Sequence, residues 1–242
     1  MPLRAGLPPL VPGIKTTVSR RNDPNRADAD DAFVRVRKGV LRRDNYTCQY
    51  CGFTCPPKLL PGTGGSGYLE VHHIDDDHGN NDEMNLVTIC PMCHLVFHVG
   101  FHGFQGSATV IWCPWISQED LSLLCNCAAV AVYRKGTEIA PAAQALLSAL
   151  ESLNTPAASI ENLSVLAHDP AALGTALGVL AKTDKGLFNQ RHLALSELRV
   201  LPSMAHFQKA IAFWSDHRWL PGTTWEEGWK RVHTTWLGRV ER

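Results

Sequence analysis

Cys48-Gln49-Tyr50-Cys51, then Glu70-Val71-His72-His73-Ile74, then Asn85-Leu86-Val87-Thr88-Ile89-Cys90-Pro91-Met92-Cys93-His94 with His98 close behind: these segments decide how the chain is read. Each CxxC pair places two sulfurs on one turn. Two pairs brought together by the intervening hairpin make a closed tetrahedral thiolate site, so Cys48, Cys51, Cys90 and Cys93 read as ligands of a structural zinc. Such a site contributes on the order of 10 kcal/mol to the folding of a small module. The rival reading, a redox-active CxxC, lacks the thioredoxin-like βαβ unit that should surround it.

The histidines between and after the pairs form a second set. His72 and His73 are neighbours on an alternating, strand-like stretch, so their side chains point to opposite faces. One is placed to ligate a metal and the other to act as a base. His94 and His98 lie four apart on an expected helix and share a face, a natural ligand pair. Asn85 lies between hairpin and helix, where a polar side chain can pin the loop. With eleven histidines in the chain, isolated ones such as His168, His192 and His233 read as surface or packing residues, and His78 and His102 fall off the pattern. Asp75, Asp76 and Asp77 read most simply as a polar turn, with metal binding as the alternative.

Working outward, residues 1–29 are rich in Pro, Arg and Asp without periodicity and read as a flexible arm. Asp30 or Asp31 can cap a helix through Phe33, Val36, Val40 and Leu41, with Arg35, Arg37, Lys38, Arg42 and Arg43 as a basic face, either solvated or, beside a nuclease pocket, a DNA contact. Pro56–Gly67 is a loop, Tyr68–Ile74 and Leu86–Ile89 are strands, and Cys93–His98 opens a helix. Ala108–Trp112 is extended. From Ser117, a capping box starts an apolar helix ending near Arg134, followed by helical segments at about 141–153, 170–182, 192–198, 203–217 and 225–238. Met204, Phe207, Ile211 and Trp214 form one apolar stripe and Trp225, Trp229, Val232 and Trp236 another, read as core or as a partner surface. The fold class is therefore α+β: a zinc module at 30–113, then a helical region at 114–242.

Composition narrows the function. With 23 basic and 23 acidic residues among 242 the chain is neutral, with a pI near 7.2. That is unlike a generic nucleic-acid coat, whose affinity comes from neutralising phosphates. No apolar run is long enough for a membrane span, and no signal-peptide pattern opens the chain. The other cysteines, Cys55, Cys113, Cys125 and Cys127, read as reduced thiols in a cytoplasmic protein. No basic recognition helix follows the cysteine pairs, which argues against a sequence-specific DNA-binding zinc protein.

The stretch from Arg42 to His98 resembles the HNH (ββα-metal) endonucleases: Arg43–Gly52 their entry, Val71-His72-His73-Ile74 their first motif, Asn85–His94 their last. The resemblance implies an HNH-like ββα-metal fold. It implies His72, His94 and His98 as ligands of a second divalent metal (zinc, magnesium or manganese), His73 as general base and Asn85 as its positioner. A narrower resemblance spans roughly residues 42–215. Asn85–Cys90, Ala108–Pro114, Ile116–Cys125 and Leu198–Trp214 are similar to the IcmJ/DotN proteins of type IVB secretion. It implies a zinc-binding accessory subunit of a secretion or conjugative coupling complex, with the coupling ATPase as partner and recruitment to the inner membrane through it. The long N-terminal arm and the intact pocket histidines depart from that family. They keep open the alternative of an active metal-dependent nuclease whose partner is DNA.

Overall fold

The alternating segment around His72 pairs as a hairpin. In the computed structural model, which describes residues 5–17, 24–55, 68–134, 138–153, 169–216 and Lys230, β1 (Glu70–His73) runs antiparallel to β2 (Leu86–Ile89). Glu70 lies opposite Ile89 and His73 opposite Leu86. All four residues of β2 are buried, because α1 (Arg26–Arg43) packs against the hairpin. This helix begins a turn before Asp30, since Arg26-Ala27-Asp28-Ala29 continue the helical pattern.

Its basic face is only partly a solvated one. Arg43 donates to Asp44 Oδ1 at 2.8 Å and to the Leu86 carbonyl at 2.8 Å, and Arg37 donates to the Leu69 carbonyl at 3.1 Å. Asp44 in turn accepts from the Thr88 amide at 2.8 Å. The pair Arg43–Asp44 thus fastens the end of α1 to β2. After it, Asn45 and Tyr46 take left-handed conformations, and the turn delivers Cys48 beneath the hairpin.

Residues 5–17 depart from the flexible arm expected of 1–29. Leu10 is buried, the Gly13 amide donates to Val96 O and Gly13 O accepts from Val99 N, both at 2.9 Å. Arg191 Nε donates to the Pro12 carbonyl at 3.0 Å, and the Thr16 amide donates to Asp76 Oδ2 at 2.6 Å. Prolines exclude a helix here, but an extended segment with fixed φ still docks through its main-chain groups.

Beyond the second cysteine pair the chain does not run on as one helix. α2 (Pro91–His94) passes into a 3₁₀ turn (Leu95–His98) and then α3 (Val99–Phe104). β3 (Ala108–Trp112) follows, and then α4 (Gln118–Arg134), most of which is buried. A helix buried nearly all round belongs in the middle of a core. α4 packs on α2 at one side and on α5 (Ala140–Ser152), β4 (Leu198–Pro202) and α9 (Gln208–Ser215) at the others.

The remaining elements are α6 (Pro170–Thr183), α7 (Lys185–Asn189) and α8 (Arg191–Ala194). The expected helix at 192–198 stops at Ala194, and Leu198–Pro202 instead pairs antiparallel with β3, Val110 opposite Val200. The stripe Met204, Phe207, Ile211, Trp214 belongs to the core: Trp214 is fully buried, its ring 4.8 Å from Phe53. The hydrophobic core is therefore continuous from the cysteine-bearing segment into the helical region. The Pro56–Gly67 loop and the expected last helix at 225–238, with its tryptophan stripe, lie outside the described residues, Lys230 apart. Among the described residues no helix is long and apolar enough to cross a membrane.

α3 and α6 cross at glycines. A Cβ on Gly174 would stand 2.2 Å from Gly100 Cα and 2.6 Å from its nitrogen. That is backbone against backbone, with no flexible side chain to yield. Gly174→Ala should therefore cost about 1–3 kcal/mol, read as a lowered thermal midpoint. An unchanged midpoint would show that the helices are free to move apart.

Candidate metal centres

Two groups of ligand-type side chains converge among the described residues. The first is Cys48, Cys51, Cys90 and Cys93, all buried, with sulfurs within 4.8 Å of one another. Cys48 and Cys51 sit on a knuckle closed by Cys48 N to Phe53 O and Gly52 N to Cys48 O, both 2.8 Å. Gly52 has φ +78° there, a conformation that favours glycine. Cys90 precedes α2 with Pro91 at the first helical position, and His94 N returns to Cys90 O at 2.9 Å. Gln49 N bonds to Thr88 O at 2.9 Å, which joins the two knuckles.

Geometry tests the fit of an ion. Tetrahedral metal–sulfur bonds of about 2.3 Å require sulfurs about 3.8 Å apart, and Cys51 Sγ lies 3.7 Å from Cys90 Sγ. Burial pushes the Cys48 thiol up, yet hydrogen bonds from the other three cysteines outweigh it and hold it well below its usual range. Burial drives Cys51 and Cys93 the other way. Four thiols crowded this closely can all ionise only around a cation.

The second group is His72, His94 and His98, again with donor atoms within 4.8 Å. His94 Nε2 and His98 Nε2 are 3.3 Å apart, as expected of two nitrogens bound at about 2.0 Å to a tetrahedral ion. The 3₁₀ turn preserves the side-by-side placement that a regular helix would have given. His72 stacks on Phe97 at 4.4 Å. Burial, then the charges of His94 and His98, push its pKa down to about 2. Burial and His94 push His98 down to about 3. At neutral pH both are therefore in the neutral, ligating form.

Glu70 is a residue that sequence spacing did not single out. Its carboxylate accepts from His94 Nδ1, which leaves Nε2 facing the other ligands, a carboxylate–histidine arrangement typical of metal sites. It sits two residues before His72 on the same strand, and that period-two relation is the signal that could have revealed it.

His73 points away from His72, as expected for adjacent strand residues. His73 Nε2 is 3.1 Å from Asn81 Oδ1, and Asn81 Nδ2 donates to the Ala29 carbonyl at 3.1 Å. The amide orientation makes His73 Nε2 the donor and leaves Nδ1 unprotonated. Among the described residues Asn85 makes no hydrogen bond to His73. Its Nδ2 donates to Asp75 Oδ1 and to Asn80 O at 2.8 and 2.9 Å, and its Oδ1 accepts from the Asp75 amide. It ties the hairpin turn, and Asn81 orients the imidazole. Asp75 and Asp76 are spent on that turn and on Thr16, the polar-turn reading. His72, His73, His94 and His98 nevertheless line one pocket of about 300 Å³, with Lys15 and His78 at its wall.

These features have relatives. The HNH endonuclease family matches residues 48–98. The type 4 apparatus protein DotN of Legionella pneumophila is 29% identical over 191 residues, 77% of this chain and 80% of that protein. The chain is DotN-like, with an HNH-like segment. The HNH match is confined to residues 48–98, so most of the 191 residues of likeness to DotN lie outside it.

Proposed function

We propose that this chain is a zinc-binding accessory subunit of a type IV secretion apparatus of the IVB class, or of a related conjugative one. It would be attached to the coupling ATPase and drawn from the cytoplasm to the inner membrane by that partner. The observation that carries this reading is the extent of the DotN likeness, which covers four fifths of that protein and not the metal-binding segment alone. Zinc is the ion assigned to the cysteine centre, because four buried, converging thiolates are the donor set of a structural zinc.

Co-purification tests it. Tagged full-length chain, expressed from its own locus, should bring down a coupling ATPase of the secretion apparatus, and its deletion should impair secretion. Recovery without that ATPase, together with unimpaired secretion in the deletion strain, would end the proposal.

A second reading rests on a specific observation: His72, His94 and His98 converge and line one pocket with His73. A divalent ion held by His72, His94 and His98 would supply charge stabilisation at a scissile phosphate. His73, with Nδ1 unprotonated and Nε2 held by Asn81, is set to take a proton from an attacking water. Asn85 fixes the turn that carries Asn81. On this reading the chain is an HNH endonuclease that cuts DNA, alone or within the apparatus.

A further inference from the structure

α4 is buried on nearly every side, yet three polar residues recur along it at intervals of four: Gln118, Ser122 and Asn126, all buried. They form a seam with two ends. At one end Gln118 clasps β4, donating to Val200 O at 3.0 Å and accepting from Val200 N at 2.7 Å. Ser122 Oγ lies 3.3 Å from the Met92 carbonyl, between the second pair of cysteines. At the other end Asn126 Nδ2 donates to Cys90 Sγ at 3.4 Å and to Ser122 O at 3.0 Å.

We propose that Asn126 is a positioning residue of the four-cysteine metal site: its amide holds the Cys90 sulfur in ligand geometry and couples metal occupancy to α4. The inference rests on the reading of the cysteines as a metal centre. Four thiolates around a divalent ion carry net negative charge in a buried place, and an N–H donor offsets part of it. The other half of the amide sharpens the argument. Asn126 Oδ1 is buried with no hydrogen-bond partner among the described residues, a cost that an apolar side chain would avoid. A residue kept only to fill space would be better as leucine. The bond to sulfur is what asparagine supplies and leucine does not.

The test uses the full chain loaded with cobalt, whose sulfur-to-metal charge-transfer band reports on the thiolates. Asn126→Leu should shift that band to lower energy and speed metal loss to a chelator about ten- to hundredfold. Asn126→Val, which removes the donor without adding a charge, should do the same. Cys125→Ala, beside Asn126 in α4 but outside the converging cysteines, should move neither readout even if it lowers the melting point. An unchanged band and unchanged release in Asn126→Leu would overturn the proposal, whatever happens to stability. Should neither Asn126 variant fold, the wild-type chain loaded with ¹¹³Cd decides. A coupling between cadmium and an Asn126 amide proton supports the bond, and its absence in the folded protein refutes it. A wild-type chain that takes up no metal at its cysteines is a separate failure, that of the metal centre itself.

Discussion

Cys90→Ser should empty the cysteine centre and unfold the segment around it. The expected loss is on the order of 10 kcal/mol for a structural zinc, more than a domain of ordinary stability can absorb. The consequence should reach the helical region as well, because α4 packs on α2 and shares one core with the knuckles. Circular dichroism and metal content, measured together on the variant and on chelator-treated wild type, check this. Cys125→Ala is the control: that thiol is buried in α4 and lies outside the converging set, so zinc content should stay at the wild-type value. Full metal content and an unchanged melting point in Cys90→Ser would refute the structural role.

His73→Ala should abolish DNA cleavage without unfolding the chain, if the histidine pocket is a working nuclease. Loss of a general base costs about 10²–10⁴ in rate. The variant should keep its metal, since His73 lies outside the group formed by His72, His94 and His98. Asn81→Leu should also slow cleavage, because it removes the group 3.1 Å from Nε2 that fixes the imidazole. The measurement is nicking of plasmid DNA with Mg²⁺, Mn²⁺ or Zn²⁺. No cleavage by the wild-type chain with any of them would mark the pocket as vestigial and leave the secretion reading standing alone. Cleavage that survives His73→Ala would show that another group is the base.

Much of the metal chemistry is legible in the order of residues. The cysteine pairs and the His94/His98 spacing identify both converging groups, and the alternation around Val71 identifies the hairpin. Other expectations fail for definable reasons. Leu198–Pro202 is a short apolar run, and periodicity does not separate such a strand from a buried helical segment; its partner, β3, is about 90 residues away in sequence. The segment at 5–17 reads as unstructured because its ties follow no period: main-chain bonds at Pro12, Gly13 and Thr16, with Lys15 and Thr17 reaching the Asp76 carbonyl. Arg43 reads as a solvated surface charge, whereas in the fold Asp44 and the Leu86 carbonyl engage it.

Sequence by itself determined which residues can hold a metal, because that depends on spacing within a turn: CxxC on a knuckle, two histidines four positions apart, opposite faces for neighbours on a strand. Only the tertiary structure decided what surrounds them. Glu70 behind His94, Asn81 on His73 and Asn126 on Cys90 act across 24, 8 and 36 residues, and Gln118 reaches Val200 across 82. Ligand spacing is a local, periodic property of the backbone and is written in the order of residues. The partners that orient those ligands are brought in by packing, where one polar side chain among many finds a neighbour that no period announces.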